Sequence, residues 1–160
     1  GLGFPGGPKL ELLAKDVDPD ALIPLPYSVK GMDISLSGMQ TKLANLIDRG
    51  VDHARIAYSV QETVFAMLIE VAERALAHTG KSSLVLGGGV ACNQRLQDMA
   101  TAMCAQRAAT IGIPDKEFLV DNGAMIALLG IRAFHAGAIV RPADADIDLY
   151  ERTEEYSLAQ

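Results

Sequence analysis

Cysteine, histidine and positive charge are all scarce in this chain of 160 residues. Its two cysteines, Cys92 and Cys104, stand twelve positions apart and form neither a CxxC pair nor a zinc-finger spacing. They read as reduced core thiols of a cytoplasmic protein. His53, His78 and His135 are 25 and 57 positions apart, so no two share the i, i+4 spacing that chelates a metal from one helix. Fourteen basic residues against twenty acidic ones give a net charge of −6, which argues against an extended phosphate-gripping surface. The longest apolar stretch, Ala124 to Ile131, falls far short of the roughly 20 residues of a membrane span. No membrane association is expected, and no basic segment leading into an apolar one suggests secretion. A GxSxG nucleophile elbow is missing, and neither cysteine has an evident base beside it, which disfavours a self-contained hydrolase.

What is present is a globular composition, 49% hydrophobic and 21% charged, in a chain long enough to bury about two-thirds of its unfolded surface. There is no internal repeat and no linker that would divide it. It opens without Met on the glycine-rich Gly1-Leu2-Gly3-Phe4-Pro5-Gly6-Gly7-Pro8, and the expectation is that it is the downstream part of something longer.

Pro8 suits the first position of a short helix running to about Asp16. Pro19, Pro24 and Pro26 make the next stretch irregular, and Met32 to Ser37 alternates as a half-buried strand would. A helix follows Gly38 as far as Asp48. From Ala54 to Thr79, Ile56, Val60, Val64, Met67, Val71 and Ala75 recur at helical spacing, with Glu70 and Arg74 paired across a turn and Gly80 as the stop. Ser83 to Leu86 reads as a strand running into Gly87-Gly88-Gly89 and a helix with Cys92, Leu96, Met99 and Met103 as its buried stripe. Ala109 to Ile113 reads as another strand, and Ala124, Leu128, Ile131 and His135 share a face of a last helix. Helices between strands favour a largely parallel sheet in an α/β fold.

Three places suit chemistry. The strand, three glycines and helix start around Gly88 and Gly89 would let a ligand reach backbone N–H groups, with Asn93 adding a directional hydrogen bond; a tight strand-to-helix turn explains the glycines equally well. Neither GxxxxGK[ST] nor GxGxxG is matched. Asp121, at the edge of the last helix, is either an N-cap or a metal or substrate ligand. Gly7 and Glu11 either turn the chain and sit on a solvated face, or line a ligand whose hydroxyls Glu11 accepts. Asp33, Ser35 and Ser37 would share one strand face.

Taken together, Gly3-Phe4-Pro5-Gly6-Gly7-Pro8-Lys9, Leu25-Pro26-Tyr27-Ser28-Val29-Lys30-Gly31-Met32-Asp33, Ser35-Leu36-Ser37-Gly38, Ser59-Val60-Gln61-Glu62-Thr63, Ala77-His78-Thr79-Gly80-Lys81, Gly88-Gly89-Val90-Ala91-Cys92-Asn93 and Asp121-Asn122-Gly123-Ala124-Met125-Ile126-Ala127 resemble one family, in order, from Gly1 to about Arg141. It is the tRNA threonylcarbamoyladenosine transferase family, TsaD in bacteria and the catalytic subunit of the KEOPS complex in archaea and eukaryotes; the likeness is greater to the latter. The resemblance implies the actin-like ATPase fold of sugar kinases and Hsp70, with residues 1–141 as its C-terminal lobe, a mixed sheet layered by helices, and 142–160 as an acidic edge segment or tail. It implies transfer of threonylcarbamoyl from threonylcarbamoyl-AMP to the adenosine 3′ of the anticodon in ANN-decoding tRNAs. Gly7 and Glu11 match the family's contacts to the nucleoside, Asn93 its adenine-side residue, with Gly88 and Gly89 beside it, and Asp121 its ligand for a divalent metal, iron or else zinc.

The family's His-x-x-x-His pair, a further aromatic ligand and a phosphate-binding glycine loop belong to an N-terminal lobe that is not among these residues. The expectation is therefore an inert fragment that regains metal-assisted acyl transfer only with that lobe, with threonylcarbamoyl-AMP or ATP as the nucleotide ligand. No catalytic residue is assigned within it. The implied partners are tRNA held through the assembled complex, a small protein kinase and other KEOPS-type subunits. The competing readings are a nucleotide-binding lobe of another actin-like kinase, and a partner-docking scaffold without catalysis.

Overall fold

The computed structural model describes residues 2–147 and 149–150, so residues 151–160 of the acidic tail lie outside the described residues. The chain divides into two compact units, Gly1–Leu119 and Val120–Gln160.

The first unit is built round one long helix. The helices α1 (Gly6–Ala14), α2 (Met39–Asp48) and α3 (His53–Thr79) precede α4 (Gln94–Gln106) and the single-turn α5 (Lys116–Leu119). The strands β1 (Val29–Lys30) and β2 (Asp33–Ile34) pair antiparallel, while β3 (Ser83–Val85) and β4 (Thr110–Gly112) pair parallel in the register Leu84 to Ile111. A strand, α4 and a parallel strand make one βαβ crossover, as the alternation in the sequence predicts. Among the described residues the strands form two separate pairs, where a single mixed sheet is expected from the family resemblance. The reason is local: Lys30 and Asp33 close a hairpin across Gly31 and Met32, which pairs these strands with each other. The alternation from Met32 to Ser37 therefore does not become one strand. Beyond Ile34 the Ser35 hydroxyl accepts the Ser37 N–H at 3.3 Å, and the expected common face of Asp33, Ser35 and Ser37 dissolves into a turn.

Helix α3 carries the unit because α1, α2, α4 and β2 all pack on it. Asp52 caps its N-terminus through the Arg55 N–H, and Gly80, at φ 64°, ends it in the left-handed conformation that a residue without Cβ adopts cheaply. A helix covered from several sides buries more than one stripe. Ile56 and Met67 of the expected stripe are buried, but so are Ala57, Ser59, Gln61, Phe65 and Leu76, whereas Val60, Val64, Val71 and Ala75 are only half-buried. One end of α3 meets α4 and the parallel strands in a core of Leu76, Met103 and Cys104, flanked by Ile69, Ala72, Leu84, Ala109 and Ile111. The buried face of α4 is Leu96, Ala100, Met103 and Cys104; Cys92 and Met99 are half-buried, a shift from the expected stripe because α4 starts only at Gln94.

The proline-rich stretch is pinned to α3 by polar contacts. Ser59, fully buried, accepts the Ile23 N–H at 2.9 Å and donates to the Arg55 carbonyl at 2.8 Å. Tyr27 donates its hydroxyl proton to Glu70, which also holds Arg74, and Arg74 in turn donates to the Gly31 carbonyl at 2.7 Å. The sequence pair Glu70 and Arg74 is thus one edge of a network tying the hairpin to α3.

In the second unit, α6 (Gly123–His135) follows an Asn122 cap and buries none of its residues, although Ile126, Leu128, Ile131 and Phe134 are apolar. Among the described residues no helix is long and apolar enough to cross a membrane.

Candidate functional site at the start of helix α4

Three successive residues at the start of α4 are each held by a side chain from another helix. Asn93 is the N-cap: its Oδ1 accepts the Leu96 N–H at 3.3 Å, and its Nδ2 donates to Gln61 Oε1 of α3 at 2.9 Å. Gln94 donates its backbone N–H to Glu11 Oε1 of α1 at 2.8 Å. Arg95 grips Glu62 of α3 with both Nε and Nη2, each at 2.7 Å, a two-pronged geometry that fixes direction as well as distance.

This arrangement follows from where helices begin. The first N–H groups of a helix have no partner in their own helix. The Asn93 amide satisfies one of them and the Glu11 carboxylate a second, placing negative charge at the positive end of the α4 dipole. Arg95 is pushed further toward its charged form, first by its hydrogen bond to Glu62. Burial, followed by the Glu62 carboxylate, raises the Tyr58 phenol one turn earlier on α3.

The glycines enter this site differently from the sequence expectation. Gly88 has φ 88° and ψ 160°, a backbone region essentially confined to glycine, and it leads into a 3-10 turn over Gly89–Cys92 before α4 begins. The strand therefore does not pass straight into the helix. Asn93 closes the turn and caps the helix, instead of sitting within its first turn. Gly7 lies within α1, whose helix begins at Gly6 so that Pro8 is the third helical residue and not the first. Around Gly7, Gly88 and Gly89 the space where a Cβ would stand is open to 4 Å, leaving backbone accessible to a close ligand. Lys9 folds the opening segment back by donating to the carbonyls of Leu2 at 2.7 Å and Gly3 at 3.4 Å.

Glu11 and Asn93 are thus brought together at one helix start, with Gly88 and Gly89 on the turn before it. Gly7 is one helical turn from Glu11 on α1. Asp121 belongs to the second unit. It is exposed, and the N-cap of α6 is its neighbour Asn122, which accepts the Met125 N–H at 2.9 Å. The capping explanation for Asp121 is therefore overturned, because the helix starts one residue later than that explanation requires. Among the described residues no three His, Cys, Asp or Glu side chains gather as a metal site, so Asp121 offers a single carboxylate.

Sequence reasoning missed Gln61, Glu62, Gln94 and Arg95 as members of this site. The available signal was three consecutive polar residues, Gln61-Glu62-Thr63, between Val60 and Val64 of α3. A separate open apolar groove of about 340 Å³ lies between α1, α2 and α3, lined by Leu10, Leu13, Leu43, Ile47, Ile56 and Val60 among others. Its lining has none of the hydrogen-bonding groups gathered at α4.

Residues 1–128 match the family model described as TsaD, tRNA N6-adenosine threonylcarbamoyltransferase. A tRNA N6-adenosine threonylcarbamoyltransferase of Thermococcus sibiricus is 48% identical over 156 residues, covering 97% of this chain and 48% of that protein. Probable bifunctional tRNA threonylcarbamoyladenosine biosynthesis proteins of Halobacterium salinarum and Methanosarcina acetivorans are 49% and 44% identical over 158 residues, covering 99% of this chain and 29% and 28% of theirs. The chain spans between about a quarter and a half of the length of these relatives.

Proposed function

The chain belongs to the tRNA N6-adenosine threonylcarbamoyltransferase family, and from that premise we propose that it supplies nucleotide-facing residues of a transferase that moves threonylcarbamoyl from threonylcarbamoyl-AMP to the adenosine 3′ of the anticodon in ANN-decoding tRNAs. The observation that carries the reading is the convergence of Glu11 and Asn93 on the start of α4. In this proposal the chain is the C-terminal lobe, residues 1–141, of an actin-like ATPase fold.

The carboxylate of Glu11 keeps one oxygen on the Gln94 N–H, and the other accepts from ribose hydroxyls. Asn93 addresses the base. Gly7, Gly88 and Gly89 let the nucleotide lie close to the main chain. Their shared work is positioning: holding the adenylate so that its carbonyl carbon meets the tRNA amine lowers the entropic part of the barrier. In the transfer, the N6 amine forms a bond to the carbamoyl carbon, the bond from that carbon to the AMP phosphate oxygen breaks, AMP leaves with the electron pair, and the amine loses a proton.

The described residues do not by themselves make a site for iron or zinc, since such ions take three or four protein donors and only Asp121 is offered. Asp121 is proposed as one carboxylate of a set completed from outside these residues. The net charge of −6 leaves the grip on tRNA to other surfaces, and companion subunits including a small kinase are the proposed source.

A chimaera tests the proposal. The portion of the Thermococcus sibiricus transferase that precedes the matched region is fused ahead of this chain, and nucleosides from tRNA incubated with threonylcarbamoyl-AMP and the companion subunits are analysed. The expected result is N6-threonylcarbamoyladenosine with the chimaera and none with the 160-residue chain alone. Modification by the chain alone, or phosphorylation of small hydroxyl compounds by a chimaera that leaves tRNA untouched, would overturn it.

A further inference from the structure

Gln61 is polar, 6% exposed, and set in the middle of the helix that carries the core. Burying an amide costs free energy unless its hydrogen bonds are made, and its carbonyl oxygen is spent on the Asn93 Nδ2 at 2.9 Å. No fully buried side-chain oxygen or nitrogen among the described residues lacks a partner.

The consequence lies in the inventory of the Asn93 amide, which has an oxygen acceptor and two N–H donors. The α4 cap requires the oxygen to face the Leu96 N–H. Gln61 presents an oxygen on the other side, which accepts only from the Asn93 nitrogen. Flipping Asn93 alone would set oxygen against oxygen at Gln61 and nitrogen against an N–H at the cap, losing both bonds, and a joint flip of the two amides would still lose the cap. The amide is thus held in one of its two orientations, with its second N–H uncommitted on a half-buried side chain at the helix start.

We propose that Gln61 is a positioning residue for nucleotide recognition: it fixes the Asn93 amide so that one N–H is offered as a donor to a ring nitrogen of a purine. The inference rests on the reading of Asn93 as a nucleotide contact. Held by the cap bond alone, the amide would be less firmly oriented and would discriminate less between a ring nitrogen and an amino group. Gln61 itself touches no ligand. It acts through Asn93, from below the surface on which the nucleotide would lie.

Two variants separate this role from bulk stability. Gln61→Met keeps the length and unbranched shape but has no acceptor of comparable strength, whereas Gln61→Glu keeps the acceptor. In nuclear magnetic resonance spectra of the 160-residue chain, the Asn93 side-chain N–H protons should exchange with solvent at least about tenfold faster in Gln61→Met than in the unaltered chain, with Gln61→Glu close to the latter. That factor corresponds to loss of one net hydrogen bond of about 1.4 kcal/mol. The backbone amides from Ala100 to Met103 should keep their protection in both variants. In a titration of the chimaera described above with AMP, displacement of the Asn93 signals should need several-fold more AMP when it carries Gln61→Met, with recovery in Gln61→Glu. Equal exchange and equal AMP dependence in all three proteins would overturn the positioning role. AMP that leaves Asn93 unmoved in the chimaera with unaltered Gln61 would instead overturn the nucleotide reading on which it rests, and with it the inference.

Discussion

Glu11 Oε1 accepts the backbone N–H of Gln94 at 2.8 Å across 83 positions of sequence, so the first helix of the chain caps the fourth. The bond gives Glu11 a structural duty beside any contact to a ligand. Glu11→Ala should destabilise the chain by about 0.5–1.5 kcal/mol, the usual cost of a lost helix cap, and Glu11→Gln by less because it retains an acceptor. Thermal unfolding with amide exchange at Gln94 checks this. An unchanged Gln94 exchange rate in Glu11→Ala would show that the cap contributes nothing.

Ser59 makes a second long tie, from α3 to the Pro19–Tyr27 stretch. Ser59→Ala is almost isosteric, yet it removes the acceptor for the Ile23 N–H. The expected loss is about 1–3 kcal/mol, the cost of leaving a buried donor without a partner. Denaturant titration measures it, and a loss below about 0.5 kcal/mol would mean that water reaches Ile23.

Tyr27 supplies the pH dependence. Burial first, and then its hydrogen bond and proximity to the Glu70 carboxylate, push its phenol up to about 12. The folded state therefore favours the protonated phenol. The associated stability is fully present below the unfolded value of about 10 and disappears as pH rises through the folded one. The absorbance titration of the tyrosinates should show Tyr27 ionising late, and Tyr27→Phe should remove that late step. Ionisation of Tyr27 near 10 in the folded chain would contradict the bond to Glu70.

The cap of α6 is Asn122, where the sequence pointed to capping as one of two explanations for Asp121. Asn122→Ala should cost about 1 kcal/mol of α6 stability, whereas Asp121→Asn should leave α6 protection unchanged. Amide exchange at Met125 distinguishes them. Equal effects of the two substitutions would return Asp121 to the capping role.

Much of the secondary structure was legible because its signals are local. The span of α3 could be read from apolar residues at helical spacing and a Gly after them, while its Asp52 cap came from the structure. The parallel pairing of β3 and β4 followed from two apolar strands either side of a helix long enough to cross over. Boundaries shifted where short-range chemistry competed. The hairpin at Gly31 cut the expected strand, and the 3-10 turn after Gly88 delayed α4 until Gln94.

By itself the sequence determined the helices, the crossover, the family likeness and the residue types suited to a nucleotide, since each depends on spacing along the chain or on side-chain chemistry. Only the tertiary structure decided that Glu11, Gln61 and Glu62 converge on three consecutive residues of α4. Hydrogen bonds form at about 3 Å wherever packing brings donor and acceptor together. Packing of α1 and α4 on the same long helix brings those groups together across gaps that no periodicity records.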